Sequence, residues 1–384
     1  MSVGLTRSRF INALRCYASY ALNRLGSALF RTPYTVHHTP LFVSVEPSAV
    51  CQLHCPACPV SIGKTATLTE HRPATPDRTQ TDHASVNQSV SEAVCQRSGL
   101  SATRSFSPQG GLMPRDLWER ALSQIKDSAW VVQFYFQGEP LLNKDLPLMI
   151  REAHDAGLYT IVSTNAQAMT PELAKALVAA GLDRIIISMD GLTQESYSAY
   201  RVGGSLDQCK AALRYLREAK SVCQSEGRSV FWGTPGSGLS GGAGLTIELQ
   251  VLRLKSNEHE WRAFRKEYKA LGADRLVFKT AQLYDYRHGH PLMPSEPRYR
   301  RYEQHADGLW YRKPLGKGCF RVWSGVVIAA NGDVLPCCYD KDHAHAYGNL
   351  RTASLRELFS GPAARTFRTQ ALLQPPQICQ ECWK

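Results

Sequence analysis

From Leu41 onward the chain repeats one pattern: a short apolar or β-branched run, a polar or glycine break, then a helix-like stretch. Strand candidates are 41–46, 131–136, 159–164, 184–189, 246–254 and 275–279. Helical periodicity fills 115–126, 146–156, 171–180 and 206–220, with 259–271 before the sixth strand. Parallel strands need crossovers that helices supply, so repeated strand–helix units predict an α/β fold with a parallel sheet or barrel. Two stretches break the rhythm. Residues from about 61 to 107 are rich in Ser, Thr, Gln, Asp and Arg and poor in large apolar groups, so a flexible insertion is expected. Residues from about 225 to 245 contain GTPGSGLSGGAG and read as a second loop, which lacks the Gly-Lys-Ser/Thr ending of a phosphate-binding loop.

Composition excludes several classes. With 384 residues, 43% hydrophobic and 20% charged, the chain is long enough for two or three globular units and is not a disordered, collagen-like or coiled-coil protein. No apolar run reaches the length of a membrane span. The formal charge of +12 is scattered, and no basic stretch is interleaved with aromatic residues, so no specific nucleic-acid partner is expected. Residues 7–31 carry Arg7, Arg9, Arg15, Arg24 and Arg31 among Phe10, Ile11, Leu14, Tyr20, Leu22, Leu25 and Phe30, with no acidic residue. This segment reads as a basic amphipathic helix packed on the following domain, with membrane-surface contact as the alternative. The apolar stretch that begins at Phe10 is cut short by Arg15 and makes no signal peptide, so a reducing cytoplasm is expected, with cysteines among the chain's twelve used for metal.

The cysteines fall into two groups. In CQLHCPAC, Cys51, Cys55 and Cys58 follow the first strand with C-x3-C-x2-C spacing. Three thiolates on one loop can hold three corners of a four-iron cubane and leave the fourth iron open, whereas structural zinc prefers four closed ligands. The second group is Cys319, the run GDVLPCC with Cys337 and Cys338, and the C-x2-C pair Cys379 and Cys382. Four such thiolates can close either one iron–sulfur cluster or one zinc site. Either Cys337 or Cys338 could fill the middle place in that set. Cys16, Cys95, Cys209 and Cys223 are solitary and are read as structural or incidental thiols.

The first loop resembles that of the radical S-adenosylmethionine (SAM) superfamily, and further motifs extend the resemblance. Gly138, Glu139 and Pro140 after the second strand look like the family's Gly-Glu-Pro motif, which receives the methionine amino group. Ser163 and Asn165 after the third strand, and Ser188 and Asp190 after the fourth, match its ribose- and methionine-binding strand ends. Arg201, in Tyr-Arg-Val-Gly-Gly, resembles the arginine that pairs with the cofactor carboxylate. Each motif alone could be a turn or a cap; their order at successive strand ends makes the set specific. One departure is Ala57, where many family loops carry an aromatic residue. The C-terminal cysteines, Gly348-Asn349-Leu350 and the helical run from Ser354 resemble the SPASM or twitch extension of the same superfamily, whose Pro-Cys pattern implies Cys337 rather than Cys338 as the ligand.

The resemblance implies a partial (β/α)6 TIM-like barrel with a small C-terminal auxiliary-cluster domain. The expected organisation is a basic segment over 1–40, the barrel over 41–285, a linker over 286–318 and the auxiliary domain over 319–384. It implies a SAM-binding 4Fe-4S cluster, SAM itself, one auxiliary 4Fe-4S cluster, and an electron donor such as flavodoxin or ferredoxin. The expected chemistry is reductive SAM cleavage to a 5′-deoxyadenosyl radical that abstracts a substrate hydrogen. Peptide or protein modification is the first expectation, and dehydrogenation of a small alcohol or sugar-like metabolite the second. A non-catalytic iron–sulfur carrier or a nucleic-acid-binding protein is the reading from another class. No catalytic acid or base is assigned.

Overall fold

In the computed structural model, which describes residues 6–29, 36–62, 105–106, 111–225, 244–284, 286–313, 319–380 and 382, the strand–helix alternation closes into a partial barrel. The two expected insertions lie almost wholly outside the described residues. Strand β1 (Phe42–Val45) is followed by the two-residue strands β2 (Val50–Cys51) and β3 (Ser105–Phe106), which pair with each other. Then come β4 (Val131–Phe134), β5 (Tyr159–Thr164), β6 (Arg184–Ser188), β7 (Thr246–Arg253) and β8 (Arg275–Thr280). Strands β1, β4, β5, β6, β7 and β8 are parallel neighbours in that order, the six strands expected from the alternation.

Alternation along each strand decides which face meets what. Val43 and Val45 of β1, and Val132 and Phe134 of β4, are buried against the outer helices, whereas Phe42, Ser44 and Gln133 point to the lumen. The outer layer fits this face at helical spacing: Arg115–Ile125 buries Leu117, Trp118, Ala121 and Ile125, and Leu146–Asp155 buries Leu146, Met149, Ile150 and Ala153. Helix Pro171–Ala179 starts at Thr170, whose hydroxyl accepts the Leu173 N–H at 3.1 Å.

Two features go beyond the expected architecture. First, the C-terminal region joins the barrel's own sheet. Strand β11 (Gly325–Ile328) pairs parallel with β1, Phe42 opposite Gly325, and β12 (Asp333–Leu335) and β13 (Gly348–Asn349) continue antiparallel from it. Second, the stretch expected as a linker is no bare connection: β9 (Tyr302–Gln304) and β10 (Trp310–Arg312) form a hairpin. It is anchored because Tyr302 stacks on Tyr286 at 4.3 Å between ring centroids and packs with Leu53, Cys55 and Ala57 of the cysteine loop. The N-terminal helix α1 (Arg7–Leu29) packs on the barrel and the C-terminal region, as the first reading of that segment expected.

Candidate active site

Strand β1 is followed directly by Glu46, whose buried carboxylate accepts the backbone N–H of Gln137 at 3.2 Å and of Ala330 at 3.1 Å. Burial pushes this carboxyl up, and the two donors pull it back. One side chain thereby ties together the ends of β1, β4 and β11. The next backbone turn is held by Gly138. A Cβ there would stand 2.6 Å from the Ala49 carbonyl carbon and the Val50 nitrogen, a contact only glycine permits. Glu139 N–H then donates to Val50 O at 2.7 Å, fixing the residue just before Cys51.

The three cysteines leave this anchor on a tight loop. Cys58 N–H donates to Cys55 O at 3.0 Å as helix Pro59–Ile62 begins, and His54 N–H donates to Val202 O at 3.0 Å, joining the loop to the Arg201 segment. The sulfurs meet donors: Leu53 N–H lies 3.4 Å and Asn165 Nδ2 3.5 Å from Cys51 Sγ, and Arg201 Nη1 lies 4.0 Å from Cys55 Sγ. Burial raises both thiols, Cys55 to about 11 although the Arg201 guanidinium lowers it, and the three sulfurs lie within electrostatic reach of one another. Hydrogen bonds to sulfur and a nearby cation are what a thiolate-held cluster requires of its surroundings.

The other expected site residues gather at the same strand ends. Glu139 is buried, and its carboxylate accepts from Thr164 Oγ1 at 2.5 Å, Asn165 N at 2.8 Å and Leu141 N at 3.0 Å. Burial lifts it to about 7 against these three donors. Pro140 opens the short turn that follows. Asn165 precedes Ala166 at φ 63°, a left-handed turn closed by the Thr164 hydroxyl, which accepts Ala166 N–H at 2.9 Å. Ser163 and Ser188 lie on β5 and β6 in register with the lumen-facing Ile161 and Ile186. Asp190 and Arg201 meet each other: Arg201 Nε donates to Asp190 Oδ2 at 2.6 Å, while Asp190 Oδ1 accepts Leu252 N–H at 2.6 Å. A fully buried carboxylate with both oxygens engaged is a support for Arg201 rather than an open binding group.

The second group also converges. Burial raises the Cys337 thiol, and so do, in turn, Cys338, Cys382 and Cys379, while Tyr347 senses Cys337 and Cys319. Cys338 accepts from Arg321 Nη1 at 3.2 Å and lines a cavity of about 300 Å³ with Phe42, Ser44 and Gln133 of the lumen. Among the described residues no group of three or more His, Cys, Asp or Glu side chains stands placed to hold a single metal ion. The motif search missed Lys341, whose Nζ donates to Phe136 O at 3.1 Å, lies 4.1 Å from that ring's centroid, and is in electrostatic reach of both Cys338 and Cys58. It also missed Arg321. Neither has a local signature, since each meets its partners through the fold alone.

Comparison with known proteins agrees with this arrangement. The model of the radical SAM superfamily matches residues 45–226, and that of the SPASM iron–sulfur cluster-binding domain matches 319–383. The chain belongs to the radical SAM superfamily and carries a C-terminal SPASM domain. A PqqA peptide cyclase from Ruegeria pomeroyi is 26% identical over 287 residues, covering 69% of this chain and 70% of that protein. An AdoMet-dependent heme synthase from Methanosarcina barkeri is 36% identical over 83 residues, 21% of this chain and 24% of its own. Streptococcus suis SuiB bound to S-adenosylmethionine shares the fold at TM-score 0.53 and 15% identity, over 86% of this chain and 68% of that one. Native anSMEcpe with bound AdoMet does so at TM-score 0.54 and 15% identity, over 86% and 84%. The protein is therefore an enzyme that uses a 4Fe-4S cluster, SAM and auxiliary iron–sulfur. Bound together, cluster and SAM supply one-electron cleavage and a 5′-deoxyadenosyl radical that abstracts a substrate hydrogen.

Proposed function

We propose that this radical SAM enzyme modifies a peptide or protein. The observation that carries the reading is the similarity to a peptide cyclase across some two thirds of both chains. SuiB, whose fold is shared, has also been solved bound to a precursor peptide. In this reading the barrel spans 41–285 and the auxiliary domain 319–384. Cys51, Cys55 and Cys58 hold the SAM-binding cluster, with Asn165 and Arg201 bonding its sulfurs. The turn of Gly138, Glu139 and Pro140 receives the cofactor's amino group, its shape held by the bonds of the Glu139 carboxylate, Ser163, Asn165 and Ser188 line the cofactor's path, and Asp190 aims Arg201. Cys319, Cys337, Cys379 and Cys382 hold one auxiliary 4Fe-4S cluster, leaving Cys338 to the lumen beside Arg321. A flavodoxin or ferredoxin supplies the electron, and the cytoplasm is the compartment, since thiolate-held clusters fit reducing surroundings.

The test is anaerobic reconstitution followed by incubation with SAM, a reductant and the small peptides encoded beside the gene. A peptide that loses hydrogen mass as 5′-deoxyadenosine appears supports the reading; oxidation of small polyols with every peptide unchanged favours a small-alcohol dehydrogenase, the second reading, which a single auxiliary cluster suits. Two four-iron cubanes would give about eight irons per chain. Replacing Cys51, Cys55 and Cys58 by Ala should halve that content and abolish SAM cleavage. Zinc at the C-terminal cysteines would appear as about four irons in the unaltered protein.

A further inference from the structure

Helix α1 presents two unlike faces. Its inner face is stapled down: Arg9 donates to the carbonyls of Gly157, Lys126 and Ala156 at 2.5 to 2.8 Å, and Asn12 Nδ2 to Thr39 O at 3.0 Å. Cys16 Sγ lies 3.6 Å from Trp323 O, and Tyr20 packs edge-on against Phe320 and Trp323. These contacts spread from the first turn to the fourth, so the rotation of the helix about its axis is set. The outer face is then fixed in solvent, and it is apolar. Phe10, Ile11, Leu14, Tyr17 and Leu22 are between 36% and 60% exposed and make up half of all large exposed hydrophobic residues among the described positions, although Tyr17, at one edge, also stacks on Phe320 at 4.8 Å between ring centroids. At about 100° per residue these side chains span an arc of roughly 140°. Arg15 lies at one edge of the arc and Arg24, seated on the Tyr20 ring, at the other, with Arg7 at the N-terminal end. Residues 7–29 contain no acidic residue.

We propose that this face seats the enzyme on an anionic lipid surface, with the helix lying in the plane of the headgroups. An apolar arc bordered by arginines matches a surface whose interior is hydrocarbon and whose boundary carries negative charge. A second copy of this helix is the poorer occupant, because it would set arginine against arginine with no carboxylate on either helix to compensate. Among the described residues no helix is long and apolar enough to cross a membrane, so the contact is peripheral. The docked inner face makes the attachment rigid, and the barrel is held to the membrane rather than tethered by a flexible anchor.

The test uses the full chain, anaerobically purified with its clusters, in flotation with vesicles of phosphatidylcholine alone or mixed equally with phosphatidylglycerol. Binding should be at least tenfold stronger to the anionic vesicles and should fall with salt. Phe10→Ser with Leu14→Ser should abolish flotation while iron content and SAM cleavage stay unchanged. Arg7→Glu and Arg15→Glu should each weaken it about fivefold or more, as expected for the loss of one cation near such a surface. Equal binding to neutral vesicles, or unchanged flotation by both sets of variants, would overturn the proposal. So would a stable dimer or an acidic protein partner that the serine variants release while vesicles are ignored. If the serine pair unfolds the helix, as circular dichroism and gel filtration would reveal, the charge reversals, which remove no packing, decide the matter.

Discussion

At the residue scale the most consequential contact is Arg201 with Asp190. The guanidinium and the fully buried carboxylate are 2.6 Å apart, and the same arginine reaches Cys55 Sγ. Removing the cation strands a buried anion, and breaking such a pair typically costs about 3–5 kcal/mol. Arg201→Ala should therefore lower stability by that order and lose iron from the first cysteine loop as well as SAM affinity. Arg201→Ala with Asp190→Asn should regain part of the stability, because no buried charge is then left alone. Thermal unfolding beside iron analysis on the two variants checks this; equal losses in single and double variants would show that the pair is not coupled. That Cys51, Gly138, Glu139 and Asn165 gather at neighbouring strand ends is legible, because each closely follows a strand candidate in the sequence. The partnership of Arg201 with Asp190 is not, since the family resemblance turns both toward the cofactor and nothing in the spacing says that one occupies the other. Lys341 and Arg321 were invisible for a different reason: their partners Phe136 and Cys338 lie across the fold or around a turn, with no periodicity linking them.

At the scale of elements, the strand β4 and the cysteine loop are locked through one missing side chain. Gly138 lets its own backbone pass within contact distance of residues 48–50, and Glu139 N–H then bonds Val50 O. A methyl at position 138 would meet backbone atoms, which cannot rotate away as a side chain tip can. Overpacking of this kind costs roughly 1–3 kcal/mol, and here the strain falls on the residues that lead into Cys51. Gly138→Ala should thus lower the melting temperature modestly but cut iron retained at the first loop severely, while the C-terminal cysteines keep theirs. Retention of full iron with altered SAM binding would place the glycine's importance in cofactor contact instead. The six barrel strands were readable as short β-branched runs between helical stretches. The three C-terminal strands were not read as part of the same sheet, because the pairing of Phe42 with Gly325 joins opposite ends of the chain and leaves no trace in local pattern. The hairpin of β9 and β10 has a turn signature in Asp307-Gly308, with Gly308 at φ 79°, but its three-residue strands are too short for alternation to set them apart from a linker; Tyr302 makes it an ordered wall beside the cysteine loop.

At the scale of the whole molecule, that long-range pairing is reinforced by a contact between the N-terminal segment and the SPASM region. His38 is buried, its Nε2 lies 2.8 Å from Trp323 O, and its ring packs edge-on against Phe359. The carbonyl requires an Nε2–H donor, and Nδ1 is buried with no hydrogen-bond partner among the described residues, so a second proton there would have no acceptor. Burial accordingly lowers this imidazole to about 4, with the Trp323 carbonyl opposing and the Arg368 guanidinium assisting. In the unfolded chain histidine titrates near 6.5, so between that pH and about 4 the unfolded state binds the proton and the folded state does not. Stability from this site is therefore fully present above about pH 6.5 and is lost progressively as pH falls toward about 4, by at most roughly 3 kcal/mol. His38→Gln can still donate to Trp323 O but cannot titrate. Denaturant unfolding of both proteins at pH 7.5, 6 and 5 should show the native chain losing stability faster than the glutamine variant, the gap between them changing steadily across that window. Because cluster lability and all other titrations are common to both chains, the difference isolates His38. Parallel pH profiles for the two would mean that the histidine is solvated and that the N-terminal segment is not clamped to the C-terminal region through this carbonyl.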